Sequence, residues 1–135
     1  MAILKVAHLG HPVLRAKAKT IPPAEIGTPR IQALIDDMFE TMQEYAGIGL
    51  AAPQVHEGLR LFVAGVRSVD VESPLSDDTD MPFITVINPE VVAIGEEVED
   101  GWEGCLSIPD IRGKVPRPVS VRLRALDRHG KKFEL

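Results

Sequence analysis

Ile31, Leu34, Ile35, Met38, Phe39, Met42 and Tyr45 recur at the spacing of a single helix face and hold it over about four turns. No other stretch constrains the fold as tightly, because an apolar stripe of that length must be buried against something. Thr28 stands where a side chain can cap the helix, Pro29 takes the first helical position, where its missing N–H costs nothing, and Gly47 ends it. The Met and aromatic residues on the stripe read as core packing, not as cofactor contacts. Other apolar segments read as strands. Residues 61–66 form a buried strand, and residues 83–87 and 91–94 form two more, joined at Asn88-Pro89-Glu90. Val119, Val121, Leu123 and Ala125 alternate with Ser120, Arg122 and Arg124 as a half-buried strand. The turn Asp127-Arg128-His129-Gly130 then leads into a returning strand at residues 131–135. These elements predict an α+β fold of small mixed sheets packed around helices, in one domain over residues 1–135.

Between these elements lie segments without periodicity. His8-Leu9-Gly10-His11-Pro12 holds two histidines, but Gly10 and Pro12 break any helix that would align them, so they belong to a turn. Residues 21–27 read as a linker, residues 67–82 as an exposed mobile loop, and residues 110–118 as a Pro-interrupted connector. Asp77-Asp78-Thr79-Asp80 lacks the Gly and terminal Glu of a calcium loop. A net charge of −5, with Lys and Arg scattered among acids, argues against a nucleic-acid partner. A single cysteine excludes an internal disulfide framework and fits a reducing compartment. No apolar run reaches membrane-spanning length, and the start, Met-Ala-Ile-Leu-Lys, lacks a signal-peptide pattern. The expectation is a cytoplasmic protein with no membrane contact.

Two stretches carry chemistry. Residues 101–109, Gly-Trp-Glu-Gly-Cys-Leu-Ser-Ile-Pro, hold the only cysteine and the only tryptophan. A thiol among small neighbours can be a nucleophile or a metal ligand, since the thiolate is the reactive form. Taken alone, one cysteine is more often a buried structural residue. Residues 47–54, Gly-Ile-Gly-Leu-Ala-Ala-Pro-Gln, supply small residues that let another chain approach the backbone closely, and end on a glutamine. No Lys-Ser/Thr follows these glycines, which disfavours a phosphate loop. His56-Glu57-Gly58-Leu59-Arg60 begins like the zinc-binding His-Glu-x-x-His motif, but Arg60 replaces its second histidine and Gly58 opposes the helix it needs. It reads as a polar turn entering a strand.

Together, residues 47–54 and 101–109 resemble the first two of three signature motifs of the peptide deformylases. The likeness extends along essentially the whole chain, from the Gly10-His11-Pro12 turn to the last hairpin. It implies metal-dependent removal of the formyl group from N-formylmethionyl peptides and nascent chains, with release of formate. By matching position, Cys105 would be the thiolate ligand of a divalent metal, Fe2+ natively, with Zn2+ or Ni2+ as alternatives. Gln54 and the backbone N–H of Leu106 would donate to the formyl oxygen and the metal-bound water, while Ile48, Gly49 and Gly104 would line the substrate backbone. In the family, two metal-binding histidines and the general-base glutamate lie on a central helix, expected just beyond Leu135. The domain is therefore expected to be incomplete at its C-terminal end, inactive as written, and left with an exposed apolar sheet face. Two other readings stand beside it: a non-catalytic formyl-peptide-binding module, and a structural protein in which Cys105 is simply buried.

Overall fold

The computed structural model describes residues 2–66 and 81–135. The stripe forms the helix it predicts, α2 (Pro29–Glu44), with Ile31, Leu34, Ile35, Met38 and Met42 buried. Its two ends differ from expectation. Thr28 occupies the cap position, but its hydroxyl donates to Glu25 O at 2.7 Å and caps no helical N–H. At the other end Ala46, not Gly47, adopts the left-handed conformation, with φ of 52°. Gly47 N–H bonds Met42 O and Ala46 N–H bonds Gln43 O, the paired closure that satisfies the last carbonyls of a helix.

A five-stranded sheet covers the stripe in the order β1-β2-β3-β6-β7, where β1 is Gly49–Ala51, β2 Leu61–Val66, β3 Met81–Ala93, β6 Val121–Leu126 and β7 Lys132–Glu134. Leu50, Leu61, Val63 and Ile87 from this sheet close the core over α2. A separate two-stranded ribbon pairs β4 (Val98–Cys105) with β5 (Ile108–Pro118). The class is α+β as expected, but the sheets are antiparallel instead of mixed. Every strand pair is antiparallel, and Lys19 and Leu59 form the sole parallel bridge among the described residues. The short turns from β4 to β5 and from β6 to β7 allow only that sense.

Three segments depart from the sequence reading. Residues 21–27 are not a linker: Ile21 and Ile26 are fully buried, and α1 (Pro23–Ile26) turns between them. The side chain of Asn88 holds Ile21 from both sides, its Oδ1 accepting Ile21 N–H at 2.9 Å and its Nδ2 donating to Ile21 O at 2.8 Å. Residues 83–87 and 91–94 are one strand, β3, which ends at Ala93 and absorbs Asn88-Pro89 as a bulge with Asn88 at φ 53°. Residues 110–118 are not a connector but most of β5. Pro116 and Pro118 are tolerated there because a two-stranded ribbon leaves one edge of each strand without a partner, and residues two apart face the same edge. The loop expected at residues 67–82 lies outside the described residues except for Met81 and Pro82, which open β3.

Candidate active site

The helix exit places the first motif. After Ala46 and Gly47 the chain runs into β1, an edge strand of the five-stranded sheet, with Gly49 opposite Ala64 and Leu50 opposite Val63. Leu50, Ala52 and Val55 are buried and fix a one-turn 3-10 segment, Ala52–Val55, that carries Gln54. His56 follows at φ 66°, in the left-handed region, and turns the chain toward β2. That turn is the polar bend expected of residues 56–60. His11, in the other histidine segment, accepts Val13 N–H at Nδ1 and caps the turn Pro12–Leu14. Its ring packs edge-on against His56 at 4.6 Å between centroids.

The ribbon places the second motif. Cys105 ends β4 and pairs with Ile108, so Leu106 and Ser107 make the turn between the strands. The Cys105 thiol is exposed, which removes the reading of a simply buried cysteine. Leu106 packs back onto the core. A Cβ at Gly47 would lie 3.2 Å from Leu106 Cδ1, so the glycine at the helix exit leaves the room that Leu106 occupies.

The two motifs therefore meet twice, once through Gly47 and Leu106 and once through Gln54. The Gln54 Nε2 group donates to Ser107 Oγ at 3.2 Å and approaches Cys105 Sγ at 3.5 Å. Its Oε1 accepts Ala51 N–H at 3.0 Å, which aims the NH2 end at the thiol. The remaining expected residues are spread over both sheets. Ile48 and Gly49 run along the β1 edge, with Ile48 exposed and its carbonyl accepting Gly65 N–H. Gly104 sits in the ribbon beside Arg112. Opposite Gly113, Glu103 forms a paired ion bridge with Arg117, at 2.8 Å for both bonds. Those hydrogen bonds hold the Glu103 carboxyl below its ordinary value.

Sequence reasoning missed Ser107 and the two backbone bonds that the amino-terminal segment makes to the motifs. Ser107 is only 4% exposed, and its presence inside the quoted motif was the one available signal. Ala7 N–H bonds Gln54 O at 2.7 Å and Leu9 N–H bonds Ser107 O at 2.8 Å. Backbone bonds of that kind leave no side-chain signature.

This arrangement defines a class: an α+β protein that presents an oriented carboxamide beside an exposed thiol. The family model for polypeptide deformylase matches residues 3–135. The peptide deformylase of Azotobacter vinelandii is 47% identical over 135 residues, covering 100% of this chain and 73% of that protein. A peptide deformylase of Acinetobacter baumannii, solved with Met-Ala-Ser bound, superposes with a TM-score of 0.88 at 34% identity, over 98% of this chain and 82% of that one. One from Legionella pneumophila gives 0.82 at 37% identity, over 98% and 70%. The chain belongs to the polypeptide deformylase family, whose members are metal-dependent hydrolases of N-terminal protein processing.

A family metal asks more of the protein than Cys105 supplies. Among the described residues no three His, Cys, Asp or Glu side chains group to hold a metal ion. Catalytic sites of this kind take three protein ligands. The described residues thus offer a single soft donor and do not by themselves fit a complete metal centre.

Proposed function

We propose that this protein recognises N-formylmethionyl peptides and nascent chains and carries the oxyanion-binding part of a deformylase reaction. The observation that supports this most is the fixed Gln54 carboxamide, whose NH2 end points at Cys105 Sγ. Hydrolysis of a formamide builds negative charge on the formyl oxygen. Gln54 Nε2–H and the backbone N–H of Leu106, one residue past the thiol, are the donors that meet this charge. A single preoriented donor of this type typically contributes about 3 kcal/mol to the transition state. Because Ala51 N–H holds the amide oxygen, Gln54 cannot present its carbonyl end without losing that bond. The open edge of β1 at Gly49, and Gly104 in the ribbon, offer backbone groups to an extended peptide, with the exposed Ile48 side chain beside them. The A. baumannii relative's bound Met-Ala-Ser supports a peptide of that length as occupant. A role on nascent chains fits a cytoplasmic protein.

Cys105 is assigned as one metal ligand, with Fe2+ as the metal; a bound divalent ion would supply hydroxide at neutral pH. The described residues provide no matching pair of histidines, so no step is assigned through it. The experiment is a formate-release assay on the 135-residue chain with N-formyl-Met-Ala-Ser and added Fe2+, Zn2+ or Ni2+. Release at the level of the protein-free blank is expected. Substantial turnover would mean that these residues complete a metal centre, and the reading of an incomplete donor set would fall.

A further inference from the structure

We propose that Ser107 is a positioning residue that sets the direction of the Gln54 carboxamide, and so decides whether a donor faces the formyl oxygen. The inference rests on the functional reading above and adds to it a residue that touches no substrate. Both backbones are already tied to one amino-terminal segment: Ala7 N–H bonds Gln54 O and Leu9 N–H bonds Ser107 O. Residues 7 and 9 are two apart, so an extended segment offers both donors on the same side. What this leaves free is the Gln54 side chain, which has several rotatable bonds and an exposed thiol as its neighbour at 3.5 Å. A thiol is a weak acceptor and fixes little. The strong constraints are the two oxygen bonds, Ala51 N–H to Oε1 at 3.0 Å and Nε2–H to Ser107 Oγ at 3.2 Å. Ser107 is buried at 4% exposure, so water does not readily take its place. Without its hydroxyl, Gln54 keeps one anchor and swings about it.

The test is side-chain 15N relaxation of the Gln54 carboxamide in the 135-residue chain, comparing wild type, Ser107→Ala and the nearly isosteric, weakly accepting Ser107→Cys. Thermal unfolding is followed alongside. The wild-type order parameter is expected near 0.85, and below about 0.6 in both variants, with the nuclear Overhauser contact from Gln54 Nε2–H to Cys105 Hβ lost. An unchanged order parameter with the contact retained in either folded variant overturns the proposal. Should Ser107→Ala fail to fold, Ser107→Cys decides in the same way. Failure of the functional reading shows differently: a wild-type chain with a rigid Gln54 that does not respond to N-formyl-Met-Ala-Ser keeps the clamp and loses the substrate.

Discussion

Ala46 shows how a single residue departs from what its neighbours suggest. Two glycines stand next to the helix end, yet the left-handed position falls on an alanine at φ 52°. A Cβ there costs about 1–2 kcal/mol, and glycine gives back part of that gain through its looser unfolded chain. Ala46→Gly is therefore expected to stabilise the protein by about 0.5 kcal/mol in urea unfolding, and a loss of stability would contradict the assignment of the closure. Gly47 could not be exchanged so easily, because its missing Cβ is the space beside Leu106. Cys105 lies at the other extreme. Its exposed thiol carries no core packing, so Cys105→Ser should change stability by less than about 0.5 kcal/mol. A loss of several kcal/mol would restore the buried structural reading. The glycine and cysteine motifs were legible in the sequence, and the family likeness singled out both Gln54 and Cys105, though not the approach of one side chain to the other. Ser107 was not singled out, since a serine in a turn announces neither its burial nor its partner.

At the scale of elements, the helix and the hydrophobic strands followed from periodicity because burial on one face imposes it. The ribbon did not follow, because its strands bury almost nothing. Residues 98–105 and 108–118 are mostly exposed, so no alternation marks them, and prolines mask β5 further. The bulge in β3 was read as a strand break for a similar reason: Asn88-Pro89 carries turn chemistry but is held in the sheet by the bonds of Asn88 to Ile21. Close packing between β2 and β3 gives a sharp prediction. A Cβ added at Gly65 would fall 1.9 Å from Phe83 Cδ1 and 2.8 Å from its Cα, so backbone as well as ring must move. Gly65→Ala should destabilise by about 1–3 kcal/mol, read as a lower urea midpoint. The β6–β7 turn supplies a pH test. Lys131 N–H and His129 N–H hold the Asp127 carboxyl below its ordinary value. A carboxyl lowered in the folded state contributes stability above its unfolded value of about 4, and that contribution is lost as pH falls through the folded value. The His129 and Lys131 amide signals should therefore titrate together below about pH 4, and Asp127→Asn should abolish the titration. A midpoint above the ordinary carboxylate range would contradict the hydrogen bonding.

For the whole molecule, the notable feature is where apolar surface lies. Val91 faces Leu123 across the sheet and Ala93 faces Val121, and Leu123 exchanges backbone bonds with Leu135. Val91, Val121 and Leu135 are all exposed, as are Ile94, Val98, Val119 and Trp102, the last at 68%. Val91, Val121 and Leu135 thus form an exposed apolar patch on one face of the sheet. The dye ANS should fluoresce strongly with the folded chain at neutral pH, and a double change of Val91 and Val121 to Lys should remove most of the signal without unfolding it. Gln54 Nε2–H and Leu106 N–H are the groups proposed to recognise a formyl oxygen. The most direct measurement is an NMR titration with N-formyl-Met-Ala-Ser and, separately, with unformylated Met-Ala-Ser. The formylated peptide is expected to shift the Leu106 amide and the Gln54 carboxamide, and the unformylated one to leave both nearly in place. Equal responses to the two peptides, or none to either, would contradict this recognition.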